Sequence, residues 1–127
     1  MEIKNTEEAI RNLIDVFFDA GKLSLELRSK GLTEQIKKDK TPVTNGDIEV
    51  NNIILSCLKK ITPDIPIVSE ENIENKNLNL ENFWLVDPID GTYDYINNGD
   101  EFTLNAGLII NKEAVAGIIY APAKDRM

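Results

Sequence analysis

Histidine is absent from the 127-residue sequence, and cysteine occurs once, as Cys57. Without imidazole there is no His-ligated zinc, no Ser-His-Asp triad and no histidine general base. Without a second thiol there is no internal disulfide. Chemistry must therefore rest on carboxylates, hydroxyls, backbone groups and a borrowed metal. Cys57 itself falls on an apolar helical stripe and reads as a buried structural thiol. Positive charge is scarce as well, since 14 basic against 22 acidic residues leave a formal charge of −8. That balance repels a polyanionic backbone and argues against nucleic acid as a partner, while an anionic substrate would need cations to mediate its binding. No apolar run approaches the roughly 20 residues needed to cross a bilayer, so no membrane span is expected. The opening "MEIKNTEEAI" is acidic where a secretory leader is basic and then apolar, and the expectation is a cytoplasmic protein.

What is present suits a folded chain with a real core: 42% of residues are apolar, and residues 1–127 read as a single domain. From Asn5 to Lys30 the residues Ile10, Leu13, Ile14, Phe17, Leu23 and Leu27 recur at helical spacing, with Asn5 and Glu8 resembling a capping box and Gly31 as the stop. The polar "TEQIKKDKTPVTNGD", broken by Pro42 and Gly46, predicts a short extended piece followed by a loop. A second helix follows, on the stripe Val50, Ile53, Ile54, Cys57, Leu58 and Ile61, with Thr44 as N-cap candidate and Asp47 three residues later. "IPIVSEE" reads as a short strand and "NIENKNLNLEN" as a surface connection. "FWLVDPI", "FTLNAGLII" and "AVAGIIYAPA" then alternate strand and turn, with a turn at Asn111 and Lys112. Two long helices packed on a mostly antiparallel sheet make this an α+β chain.

Acids gather where these elements end. Val68 leads into Glu70 and Glu71, Val86 leads into Asp87, and Val43 leads through a loop into Asp47. Carboxylates collected at neighbouring strand ends repel one another and lose hydration, which costs several kcal/mol unless cations compensate. Oxygen ligands without His or Cys favour magnesium or manganese over zinc. In "DPIDGT", Pro88 fixes its own φ and restricts Asp87 to extended conformations, so Asp87 and Asp90 are held at a corner and the Ile89 carbonyl can also turn to a metal. If a helix begins after Gly91, the amides of Gly91 and Thr92 offer a phosphate cradle. Each feature also has a plain alternative. Asp-Pro and Asp-Gly are common turn dipeptides, Glu70 and Glu71 fit a solvated surface, Asp47 fits a helix cap, and Tyr93, Asp94, Tyr95 and Asp100 fit a loop surface.

Taken together, "VSEEN" followed by "WLVDPIDGT" resembles the metal motifs of the lithium-sensitive, magnesium-dependent phosphatases related to inositol monophosphatase. "KKDKTPVTNGD" and "GTYDYINNGDEFTLNAGLI" are similar to the 3'(2'),5'-bisphosphate nucleotidase branch, with two departures: Asp100 stands between Gly99 and Glu101, and Leu104 stands where the branch usually has valine. The resemblance implies the N-terminal half of a layered α-β-α-β-α sugar-phosphatase fold. It implies a phosphomonoesterase that converts 3'-phosphoadenosine 5'-phosphate to AMP and phosphate. The alternatives are an inositol monophosphatase-type enzyme acting on sugar or cyclitol phosphates, or an inactive truncated module that binds metal or phosphate. Two or three Mg2+ ions are implied, with Mn2+ as a substitute. Glu70, Asp87 and the Ile89 carbonyl would hold one ion, and Asp87 would bridge to a second held by Asp90. Asp47 and Thr92 would position and deprotonate water. The Gly91 and Thr92 amides would hold the phosphate next to Glu70, Ile89 and Asp90, with Glu71 and Asp39 further out. Family members continue into a second half with a Trp-Asp motif, whereas this chain stops at "YAPAKDRM". Unpaired strand edges and a homodimer are the consequence expected there.

Overall fold

A chain that repeats apolar residues every three to four positions for seven turns has one way to bury them, and α1 (Ile3–Lys30) takes it. Ala9, Leu13, Phe17 and Ala20 are buried along one line, with Ile10 and Ile14 packed at its margin. The computed structural model describes residues 3–69 and 81–127, side chains from residue 6 onward. α1 is followed by β1 (Glu34–Ile36), β2 (Pro42–Thr44), α2 (Asn45–Ile61), β3 (Ile67–Ser69), β4 (Phe83–Asp90), α3 (Thr92–Ile96), β5 (Thr103–Ile110) and β6 (Glu113–Tyr120). No described helix is long and apolar enough to cross a membrane.

Two details differ from the sequence reading. α1 starts at Ile3, ahead of the Asn5–Glu8 pair, so Asn5 lies inside the first turn and is not its cap. Nothing in "IKNT" breaks a helix, and the amphipathic pattern downstream carries the helix back through it. The stretch around Pro42, read as loop, is a strand: β1 and β2 pair antiparallel with Glu34 opposite Thr44 and Ile36 opposite Pro42. Contacts beyond the strands close this hairpin. The Asn45 amide donates to the Thr33 carbonyl at 3.1 Å, and the Thr33 amide donates to Asn45 Oδ1 at 2.9 Å. Pro42, with no N–H to give, stands at the start of β2 where the ladder tolerates it.

The larger sheet runs β3-β4-β5-β6, parallel between β3 and β4 and antiparallel elsewhere, as the α+β reading expects. Its inner face presents Trp84, Val86, Leu104, Ala106, Leu108, Ile118 and Tyr120 to one core shared with α1 and α2. Trp84 is fully buried, and its indole N–H donates to Thr62 Oγ1 at 2.9 Å, so the one polar atom of the largest core side chain is satisfied. The β5–β6 turn places Asn111 and Lys112 at φ 52° and 65°, the two left-handed residues that a tight hairpin requires. "NIENKNLNLEN" lies outside the described residues except for Glu81 and Asn82.

Phe17 is fully buried in this core, so Phe17→Ala is expected to lower the free energy of unfolding by about 3–5 kcal/mol in urea titration. A loss below about 1 kcal/mol would place α1 outside the core.

Candidate active site

The last residues of β4 break the strand's alternation. Asp87 pairs with Asn105 and Asp90 pairs with Thr103, so β4 spends three steps where β5 spends two. This extra residue is a β-bulge. In a regular strand, residues three apart face opposite sides of the sheet; with one residue bulged out, they return to the same side. Thr103 and Asn105 show which side, since Asn105 Nδ2 donates to Thr103 Oγ1 at 3.0 Å on a shared face. Asp87 and Asp90 therefore lie on that face too. Pro88 sits in the bulge, where its missing N–H leaves no ladder bond unmade.

Past the bulge, Gly91 takes φ +86°, a left-handed conformation that a side chain would strain, and this turns the chain directly into α3. The turn brings Thr92 over the start of α2. There Thr44 caps the helix by a full capping box: Asp47 N–H donates to Thr44 Oγ1 at 3.3 Å, and Asp47 Oδ2 accepts from the Thr44 amide at 2.8 Å and from its hydroxyl at 2.7 Å. The cap engages only Oδ2. The other oxygen, Oδ1, accepts from the Thr92 hydroxyl at 3.1 Å. Asp47 is 1% exposed, so its carboxylate is aimed by three protein donors on its two oxygens. The Ile89 carbonyl is a second, longer acceptor for the same hydroxyl at 3.4 Å, and with the proton on the shorter Asp47 contact the Thr92 oxygen keeps lone pairs for a water.

Long-range contacts hold α3 in this position. The Tyr95 hydroxyl donates to the Ser24 carbonyl of α1 at 2.6 Å. Arg28 Nη1 donates to the carbonyls of Gly99 at 2.7 Å and Tyr95 at 3.3 Å, and its guanidinium lies over the rings of Phe102 and Tyr95 at 5.0 and 5.5 Å. On the α2 side Tyr95 packs against Gly46, where an added Cβ would come within 2.3 Å of the Tyr95 oxygen. Gly46 precedes Asp47, so this close approach sets the spacing between the two helix starts that Thr92 and Asp47 bridge. A loop-surface reading of Tyr95 does not hold, since its side chain is fully buried; nothing local marks it or Arg28 as an anchor, because their partners lie about 70 residues away.

Asp39, Asp87, Ile89, Asp90, Gly91 and Thr92 line one cleft of about 360 Å³, between the β1–β2 hairpin and the bulged end of β4, together with Lys37, Thr41, Pro42 and Tyr93. Asp47 lies beneath Thr92. Glu70 and Glu71 lie outside the described residues. Ser69, just before them, pairs with Val86, just before Asp87. Asp39 Oδ1 is engaged by Thr41, whose hydroxyl donates at 2.6 Å and amide at 3.0 Å, and these bonds hold its carboxyl below the usual range. No three acids among the described residues form a ready metal cluster. The donors that share the cleft are nonetheless all oxygen, two aspartates on one face with a carbonyl-bearing bulge between them. This chemistry fits part of the shell of a hard divalent cation.

The sequence profile of the inositol monophosphatase family matches residues 5–127. The 3'(2'),5'-bisphosphate nucleotidase CysQ of Buchnera aphidicola is 43% identical over 98 residues, covering 76% of this chain and 37% of that protein. Among solved structures, CysQ of Bacteroides thetaiotaomicron, a bacterial member of the inositol monophosphatase family, is 29% identical with TM-score 0.71, covering 94% of this chain and 44% of that one. The IMPase of Thermotoga maritima is 27% identical with TM-score 0.81, covering 93% and 46%. The chain thus spans less than half the length of each of these relatives.

Two outcomes are expected at the Tyr95 anchor. Gly46→Ala forces a methyl into the Tyr95 ring and should lower stability by about 1–3 kcal/mol in urea unfolding; an unchanged midpoint would show that the helix starts can move apart. Burial, reinforced by the Asp47 charge and opposed by Arg28, pushes the Tyr95 phenol up to about 12 from its ordinary 10.0. The raised value means that folding favours the neutral phenol. Its contribution should stay intact below pH about 10 and disappear as the pH climbs toward 12. Burial and Asp125 push Tyr120 up to about 12 as well, so tyrosinate absorbance should show two late-ionising tyrosines, and Tyr95→Phe should remove about half of that late amplitude.

Proposed function

We propose that this chain, which belongs to the inositol monophosphatase family, carries the cation- and phosphate-binding part of a Mg2+-dependent phosphomonoesterase acting on 3'-phosphoadenosine 5'-phosphate. The observation that carries the reading is the 3.1 Å contact between Thr92 Oγ1 and Asp47 Oδ1, made across 45 residues beside a bulge that turns two aspartates to one face. The bisphosphate nucleotidase name of relatives such as the Buchnera protein supports the substrate.

In this reading Asp87, Asp90 and the Ile89 carbonyl hold divalent cations, with Glu70 completing the first position and Glu71 and Asp39 acting from further out. Bound Mg2+ supplies Lewis acidity there, lowering the pKa of water and neutralising charge on the leaving oxygen. The chain's own residues do the rest. Asp47 fixes the Thr92 hydroxyl with its proton inward, and the Thr92 oxygen accepts a hydrogen bond from the attacking water and orients it. The Asp47 carboxylate behind it takes up the proton. The amides of Gly91 and Thr92, at the start of α3, receive the phosphate oxygens. A small phosphate ester is then the partner and the cytoplasm its setting. A homodimer belongs to the same reading, supported by the exposed apolar side chains Leu85 and Ile119 on the outer face of the sheet.

A second reading, a phosphatase of sugar or cyclitol phosphates, is favoured by the likeness to the Thermotoga IMPase. Phosphate release from 3'-phosphoadenosine 5'-phosphate and from inositol 1-phosphate, each with Mg2+ and with added Li+, separates the two. Faster, Li+-inhibited release from the nucleotide is expected; preference for the cyclitol ester would overturn the assignment. Mg2+ binding with no turnover of either ester would leave a binding module.

Two substitutions divide the roles. Asp87→Asn should weaken Mg2+ binding in calorimetric titration. Asp47→Asn should leave Mg2+ affinity near that of the unsubstituted chain and cut turnover roughly 10²- to 10⁴-fold. Full activity in Asp47→Asn would reduce Asp47 to a helix cap.

A further inference from the structure

We propose that Tyr93 is a specificity-determining residue of this site, the surface on which the flat base of a nucleotide stacks while its phosphate is held beside Thr92. The inference rests on the phosphatase reading and adds to it the means by which a nucleotide is told from a cyclitol ester.

The chain's other aromatic side chains are spent on folding. Phe17, Trp84, Tyr95 and Phe102 are fully buried, and Phe18 and Tyr120 pack edge to face at 5.1 Å. Phe83, at the far end of β4, is half-buried. Tyr93 is the most exposed of the aromatics, at 65% against 43% for Phe18, it has no ring partner among the described residues, and it is the aromatic residue among those that line the cleft. Core packing therefore does not account for a large ring at this position.

Its mounting is rigid. Tyr93 directly follows Thr92 in the first turn of α3, and its carbonyl accepts from the Asn97 amide at 3.1 Å. Tyr95 and Arg28 anchor the same helix to α1. A tyrosine has only two side-chain torsions to order, so a ring carried on an anchored helix offers contact area at small entropic cost. Sequence adjacency to Thr92 keeps it within one residue's reach of the proposed phosphate position.

The rest of the cleft matches the remaining parts of a bisphosphate nucleotide. Lys37, on the hairpin wall, is the cationic residue among those lining it, in a chain whose charge otherwise repels anions. A nucleoside bisphosphate presents a reacting phosphate, a π face and a second phosphate; the cleft presents the Gly91–Thr92 corner, the Tyr93 ring and Lys37. A cyclitol monophosphate has no π face and no second phosphate to match the last two.

The test is calorimetric titration of AMP and, separately, inorganic phosphate into the Mg2+-loaded chain, comparing the unsubstituted protein with Tyr93→Phe and Tyr93→Ala. Tyr93→Ala should weaken AMP binding about 10-fold, within the range that stacking of one base contributes, and Tyr93→Phe should bind AMP as the unsubstituted chain does. Inorganic phosphate should bind all three alike. AMP affinity unchanged in Tyr93→Ala would overturn the proposal, as would equal weakening of AMP and phosphate, or equal loss in Tyr93→Phe. AMP binding no tighter than phosphate in the unsubstituted chain would overturn it while leaving the phosphatase reading intact. Failure of the unsubstituted chain to bind either Mg2+ or phosphate would remove both.

Discussion

One extra residue in β4 is the constraint on which the site depends. Were β4 regular through Asp90, Asp87 and Asp90 would face opposite sides of the sheet, and no cation could meet both. The bulge between them moves Asp90 to the Asp87 side, and their β5 partners Thr103 and Asn105, bonded to each other on that side, fix the geometry. It also ends the strand in the left-handed Gly91, which starts α3 in the one place from which Thr92 reaches α2. A proline, a bulge and a glycine in sequence thus convert a core strand into a corner that carries polar groups.

The second element is the division of labour within the Asp47 carboxylate. A capping box by itself explains the buried aspartate, since Oδ2 satisfies the Thr44 amide and hydroxyl at the start of α2. Because the cap leaves Oδ1 for a partner from elsewhere, one side chain serves the helix start and Thr92 at once. The same donors that stabilise the helix also hold the carboxylate still for Thr92. Preorganisation here is a by-product of secondary structure. What must be added from outside is the approach of α3, and Arg28 and the Ser24 carbonyl of α1 provide it, the latter by accepting from Tyr95.

The parts of this arrangement legible in the sequence are the local ones. Helical periodicity placed both long helices, the Thr44–Asp47 spacing marked the start of α2, and Asn111–Lys112 marked the β5–β6 turn. Of the residues lining the cleft, Asp39, Asp87, Ile89, Asp90, Gly91 and Thr92 stand out in the sequence, because acids at strand ends and an Asp-Gly-Thr corner are compact patterns, whereas Lys37 and Thr41 do not. Alternation alone would have put Asp87 and Asp90 on opposite faces, since a bulge is visible only when the partner strand is known. Along α1 the apolar reading favoured Leu23, yet that side chain is half-buried and Ser24 is fully buried, its hydroxyl satisfied by the Gly21 carbonyl at 2.6 Å and its carbonyl taken by Tyr95. For the same reason nothing local distinguishes Arg28 from the other basic residues. A polar residue inside is identified by its partners, and those partners are remote in sequence.

The most direct test of the account is the anomalous signal of Mn2+ in crystals of this chain grown with that ion. The account predicts a peak in the cleft coordinated by the Asp87 and Asp90 carboxylates and the Ile89 carbonyl, close to Thr92. Manganese bound elsewhere, or Asp87 and Asp90 found on opposite faces of the sheet with no ion between them, would contradict it.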